Sequence, residues 1–118
     1  MSVMKFVVRL SLACGSVLFC AAGADAAQTL SVDIQKFQFT PRELTVAPGD
    51  TVTWTNRDET PHTVSATDHA FLSKALDTDD HYERTFVNEG DYPYVCTLHP
   101  FMTGVVHVRA AAAGNAAR

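Results

Sequence analysis

The sequence predicts an all-β domain, a Greek-key β-sandwich or barrel of about seven or eight strands. Three observations carry that expectation. Short segments rich in Val, Thr, Ile, Phe and Tyr alternate apolar and polar residues, clusters of Pro, Gly, Asn and Asp separate them, and no long apolar stripe of helical period runs through the chain. Strands of that length and spacing suit a two-sheet antiparallel sandwich.

Leu30, Val32 and Ile34 alternate with Ser31, Asp33 and Gln35, the pattern of a half-buried strand, which Phe37 and Phe39 extend past an irregularity. Pro41 interrupts it. Leu44 and Val46 resume the alternation up to Pro48-Gly49-Asp50, a turn in which proline presets φ and glycine supplies a positive φ. Strands are expected at 51–55 and 62–66. Residues 68–80 read as a polar loop with one helical turn or a short edge strand, and no chemistry is placed there. A strand at 82–87, a tight turn at 88–91 and strands at 92–96 and 104–108 complete the domain.

Lys5 and Arg9 precede a largely apolar run, 10–22, and then Ala24-Asp25-Ala26, which together read as a secretory signal peptide cleaved after Ala26. Acylation at Cys20 is disfavoured by the bulky Phe19. The run falls short of the roughly 20 residues a membrane span needs, so no stable membrane insertion is expected. The chain divides into a signal peptide at 1–26, a folded domain at 27–109 and a flexible Ala-rich tail at 110–118.

The 118 residues carry a formal charge of −4. Losing Lys5, Arg9 and Asp25 with the signal leaves seven basic residues against twelve acidic ones, without a basic cluster, so nucleic acid is not an expected partner. The length excludes an enzyme with separate cofactor and substrate domains, and a monomer is expected. The exported chain keeps one cysteine, Cys96, and one methionine, Met102. A lone thiol in an oxidising compartment needs burial or a metal.

Cys96, His99 and Met102 follow one another with two residues between each pair. A tight loop curls around its own centre, so a thiolate, an imidazole and a thioether there can face one atom. Zinc and copper both accept Cys and His, and a soft axial Met beside a His₂Cys plane favours copper. Such a site needs a second imidazole, and Pro61-His62 offers one beyond the strand containing Trp54; a Greek-key sandwich gathers loops from non-adjacent strands at one end, although spacing alone does not establish that these two meet. Taken singly, a buried Cys is usually an inert small hydrophobe and a Met core filler. Four such residues together point to a metal. His69, His81 and His107 are expected to face solvent.

With these residues in hand, the chain resembles the cupredoxins, the small blue-copper family, and within it the amicyanin and plastocyanin-like branch. The likeness runs from Phe37 through Pro48-Gly49-Asp50, Val52-Thr53-Trp54-Thr55-Asn56 and Pro61-His62 to Cys96-Thr97-Leu98-His99-Pro100-Phe101-Met102. It implies one type 1 copper ion, with His62, Cys96 and His99 as equatorial ligands and Met102 as the long axial one, and no other cofactor. It also implies that Asn56 ties the loop of the first histidine to Thr97. Leu98 and Thr63 stand where amicyanins usually have Pro and Asn.

The resemblance implies a periplasmic, non-enzymatic carrier of one electron between redox proteins, such as a c-type cytochrome or a dehydrogenase. Electrons would pass at His99, ringed by Pro61, Pro100 and Phe101. Asp77, Asp79, Asp80 and Glu83 read first as a solvated loop and second as a steering patch for a basic partner. The alternative is a periplasmic copper-binding or delivery protein with the same ligands. Delivery favours clusters of exposed Met or His, and the exported chain has Met102 alone.

Overall fold

The alternation in the sequence becomes alternation in burial. In the computed structural model, which describes Gly15 and residues 26–110, eight strands form two four-stranded sheets of a sandwich. They are β1 (Thr29–Gln35), β2 (Gln38–Thr40), β3 (Glu43–Val46), β4 (Thr51–Asn56), β5 (Ser65–Ala66), β6 (His81–Thr85), β7 (Gly90–Val95) and β8 (Thr103–Val108). One sheet has the order β2-β1-β4-β6 and the other β3-β8-β7-β5. Nearly all of the expected signal peptide and of the expected tail lies outside the described residues. Among those described, no helix is long and apolar enough to cross a membrane.

Both sheets are mixed, where a wholly antiparallel sandwich was expected. β1 pairs in parallel with β4, and β3 with β8. The cause is the crossing of β3 to the opposite sheet between β2 and β4, so that β4 enters beside β1 in the same direction.

Val52, Trp54 and Asn56 of β4 point inward, as do Val106 and Val108 of β8. Trp54 anchors the core, with Tyr94 edge-on at 5.4 Å and Phe71 and Phe86 tilted against it at 6.2 and 6.3 Å. The turn at Pro48-Gly49-Asp50 forms as expected, with Gly49 at φ 94°. Asp50 is buried and accepts the N–H groups of Gln28 and Ala47, each at 2.9 Å, joining the start of β1 to the end of β3.

Two segments depart from the sequence reading. Phe37 is not a strand residue: Lys36 and Phe37 form a two-residue hairpin turn between β1 and β2, both with left-handed backbone (φ 53° and 56°). The loop after β5 also contributes to the core, burying Phe71 and Leu76. Leu76 bridges His62 and Leu72 bridges Ser65, so this segment behaves as a broken edge strand.

Candidate metal centre

β7 sends alternate residues inward, so Cys96, two positions after buried Tyr94 and one past the strand end, also faces the core and is fully buried. The chain then loops out and returns through two backbone bonds. Met102 donates to the His99 carbonyl at 2.9 Å and Cys96 to the Met102 carbonyl at 3.1 Å. These bonds close the 96–102 loop and carry the Met102 side chain back into the buried cluster that holds Cys96. His62 approaches from the segment between β4 and β5. Its N–H donates to the Leu76 carbonyl at 3.1 Å and its own carbonyl accepts the Leu76 N–H at 2.7 Å.

His62, Cys96 and His99 therefore converge, although 34 residues separate the first two. The His62 and His99 Nδ1 atoms are 3.2 Å apart, and Cys96 Sγ lies 3.8 Å from the former and 3.7 Å from the latter. A triangle with those sides has a point about 2.1 Å from all three corners, against typical metal bonds of about 2.0–2.1 Å to nitrogen and about 2.3 Å to sulfur. The donor set and its spacing fit a single soft or borderline ion such as copper. Such a group would be held by both imidazoles and the thiolate, with the buried Met102 nearby.

Neighbouring groups fix His62 and Cys96. Asp58 Oδ2 lies 2.8 Å from His62 Nε2, which makes Nε2 the proton-bearing nitrogen and leaves Nδ1 free to bind. Partial desolvation pushes the Asp58 pKa up. The N–H of Phe37, the His62 ring and the N–H of Lys36 outweigh it and hold this carboxyl below its ordinary range. Thr63 N–H donates to Cys96 Sγ at 3.4 Å. The Thr63 hydroxyl accepts the N–H of Thr97 at 2.8 Å and lies 2.8 Å from the Thr97 hydroxyl.

That last contact corrects an expectation. The tie to Thr97 comes from Thr63, the residue next to the histidine, and not from Asn56. Asn56 is fully buried at the end of β4, where its amide N–H₂ donates to the carbonyls of Thr60 and Leu76 and its Oδ1 accepts the N–H of Asp58. Its polar atoms are committed to shaping the loop that delivers Asp58 and His62.

Burial is graded across the site. His62 and Cys96 are sealed, His99 is half-buried, and Pro61, Pro100 and Phe101 lie exposed, Phe101 at 72%. Leu98 on the 96–102 loop and Phe37 in the β1–β2 turn add exposed apolar surface. Phe37, Asp58 and Thr63 were not singled out as site residues by the sequence. Asp58 alone had a signal, a carboxylate four residues before the first histidine.

His69 and His81 are exposed as expected. His107 is half-buried beside Asp91 at 2.7 Å, with Arg109 on the same carboxylate. Asp79 pairs with Arg57, and the Asp80 carboxylate accepts the Asp77 N–H, so this acidic stretch builds its own turn.

The family described as copper binding proteins, plastocyanin/azurin family, matches residues 26–109. The amicyanin of Paracoccus denitrificans is 40% identical over 93 residues, covering 75% of this chain and 71% of that one. The amicyanin-alpha of Methylorubrum extorquens is 30% identical over 118 residues, covering 92% and 99%. Among solved structures, a reduced Cu(I) amicyanin variant superposes with a TM-score of 0.65 at 39% identity, over 75% of this chain and 88% of that one. A purple cupredoxin from Nitrosopumilus maritimus gives 0.65 at 33% identity, over 68% and 99%.

Proposed function

The chain belongs to the plastocyanin/azurin family of copper-binding proteins, and from that membership we propose that it is a periplasmic one-electron carrier with a single type 1 copper. The curated relatives it matches are amicyanins and plastocyanins, and like them it is not an enzyme. In this reading residues 1–26 are removed on export, residues 27–109 form the working domain and 110–118 are a tail. His62, Cys96 and His99 are the strong ligands, and Met102 is the weak axial one.

Bound copper supplies a centre that alternates between Cu(I) and Cu(II). The protein's part is to hold the donors still and to keep water out. The observation that carries the proposal is the convergence of Cys96 and both imidazoles with sealed Cys96 and His62 behind half-buried His99. A full set of protein donors leaves no position for a substrate, whereas a catalytic metal usually keeps one open. Electrons would instead leave through the His99 edge, where Pro61, Pro100 and Phe101 offer a small apolar contact surface to a c-type cytochrome or a dehydrogenase. Transient redox contacts of that kind bury less than roughly 1,200 Å².

The test is the visible and EPR spectrum after one equivalent of Cu(II), with Cys96→Ser as control, followed by voltammetry. The expected result is an intense thiolate-to-copper band with narrow hyperfine splitting, lost in the control, and a reversible one-electron wave. A pale tetragonal spectrum indifferent to Cys96 would overturn the ligand set. A blue site that surrenders Cu(I) readily to a chelator would favour copper delivery instead.

A further inference from the structure

We infer that Phe37 is a positioning residue for the metal site: its ring braces His99 and His62, and Asp58 clamps the turn that carries it. The inference rests on the proposed assignment of both histidines as ligands. It begins with a misfit in the β1–β2 hairpin. A two-residue turn with positive φ at both centres is best served by Asn-Gly or Asp-Gly. Here the pair is Lys36-Phe37, at φ 53° and 56°. Left-handed backbone is disfavoured for any residue with a Cβ, and most of all for a bulky one.

Two sets of contacts hold the pair in place. The Asp58 carboxylate accepts the N–H of Lys36 at 2.7 Å and that of Phe37 at 3.0 Å. Oδ2 of the same carboxylate lies 2.8 Å from His62 Nε2. One side chain thus fixes the turn and the first imidazole together. The Phe37 ring then stands edge-on to both imidazoles, 5.1 Å from each, at 88° to His62 and 90° to His99. Such T-shaped contacts are the favoured geometry for aromatic pairs.

The two histidines need this support unequally. His62 is fully buried and bonded to Asp58. His99 is half-buried; besides Phe37 its ring meets the His62 imidazole edge-on at 4.9 Å and, at 6.1 Å, the ring of Phe101, which is itself 72% exposed. Removing Phe37 therefore frees mainly His99. Strained backbone persists where surrounding structure over-determines it, and ligand clamps are among such places.

The experiment is ¹³C relaxation of the imidazole Cε1–H groups in the metal-free protein, comparing wild type with Phe37→Gly and Phe37→Tyr. Phe37→Gly suits the positive φ and deletes the ring. The urea midpoint is expected to hold or rise, because glycine relieves the strained φ. The His99 order parameter is expected to fall from the rigid range, about 0.85, to below about 0.6 while that of His62 holds. Phe37→Tyr is expected to restore it. After copper loading, retention against a chelator should fall about ten-fold in Phe37→Gly, the lower end of what losing an outer contact costs.

An unchanged His99 order parameter in Phe37→Gly would overturn the inference. Loosening of every ring alike, with a lower urea midpoint, would overturn it too, since Phe37 would then be ordinary packing. Failure of the ligand assignment reads differently: the metal-free ordering result would stand while wild-type copper spectra show no bond to His99.

Discussion

The backbone N–H of Thr63 points at the sulfur of Cys96 across 3.4 Å, while the Thr63 hydroxyl accepts the N–H of Thr97 at 2.8 Å. One residue thus touches the thiol directly and holds the residue after it. Thr63→Val keeps the shape and the backbone bond to sulfur but removes the hydroxyl, leaving Thr97 without its acceptor. The cost is expected at about 0.5–1.5 kcal/mol in urea denaturation, because Thr97 is exposed and water can take up its N–H. Copper affinity by chelator competition should fall about 10- to 100-fold. Identical competition curves for the two proteins would show that the hydroxyl does not matter to the metal.

Gly104 faces Tyr94 across the β7–β8 pair, and a Cβ on Gly104 would overlap the Tyr94 ring. That ring has no room to retreat: it is buried, with Phe39 at 4.7 Å and Trp54 at 5.4 Å. Gly104→Ala is expected to destabilise by about 1–3 kcal/mol through overpacking. A double-mutant cycle with Tyr94→Leu should show strong non-additivity, because the second change opens the space the methyl needs. Additive losses would place the strain elsewhere. Burial also pushes the Tyr94 phenol up to about 12. Its contribution is therefore present at neutral pH and is lost as pH rises above about 10, where the unfolded chain ionises first.

Much of this architecture was legible because it is local. Period-two alternation gave β1, β4, β6 and β8, and Pro48-Gly49 gave the turn. The convergence of Cys96 and His99 was legible because three residue types with metal chemistry, Met102 the third, share one short loop. What stayed hidden depends on partners far apart in sequence. Lys36-Phe37 has no turn signature, and its conformation is held by Asp58, 21 and 22 residues away. The parallel pairings follow from where β3 crosses, which no window of sequence encodes. Asn56 and Thr63 are both polar residues near His62, and only the placement of Thr97 beside Thr63 decides between them.

Asp91 lies at the end away from the metal, bonded to His107 at 2.7 Å and Arg109 at 2.6 Å. The His107 bond, then that of Arg109, holds its carboxyl below the ordinary value of 3.8. Because the folded pKa is depressed, the contribution is fully present above the unfolded value and is lost as pH falls through the folded one. Asp91→Asn should lower the urea midpoint at pH 7. Below about pH 4 the gap to wild type should close. A constant gap across that range would mean the Asp91 carboxylate is not held by His107 and Arg109.

Phe101 is 72% exposed beside half-buried His99, with ring centroids 6.1 Å apart. Leu98 and Pro100 of the same loop are exposed too, and exposed apolar patches mark interaction sites. Truncation at such a site should move stability by less than about 0.5 kcal/mol. If the proposed port is right, Phe101→Ala leaves the visible spectrum and the reduction potential nearly unchanged and slows electron self-exchange, measured by NMR line broadening in mixtures of oxidised and reduced protein. The two readouts separate docking from ligation. A shifted spectrum would mean Phe101 acts on the metal through His99, and an unchanged exchange rate would move the port to another part of the surface.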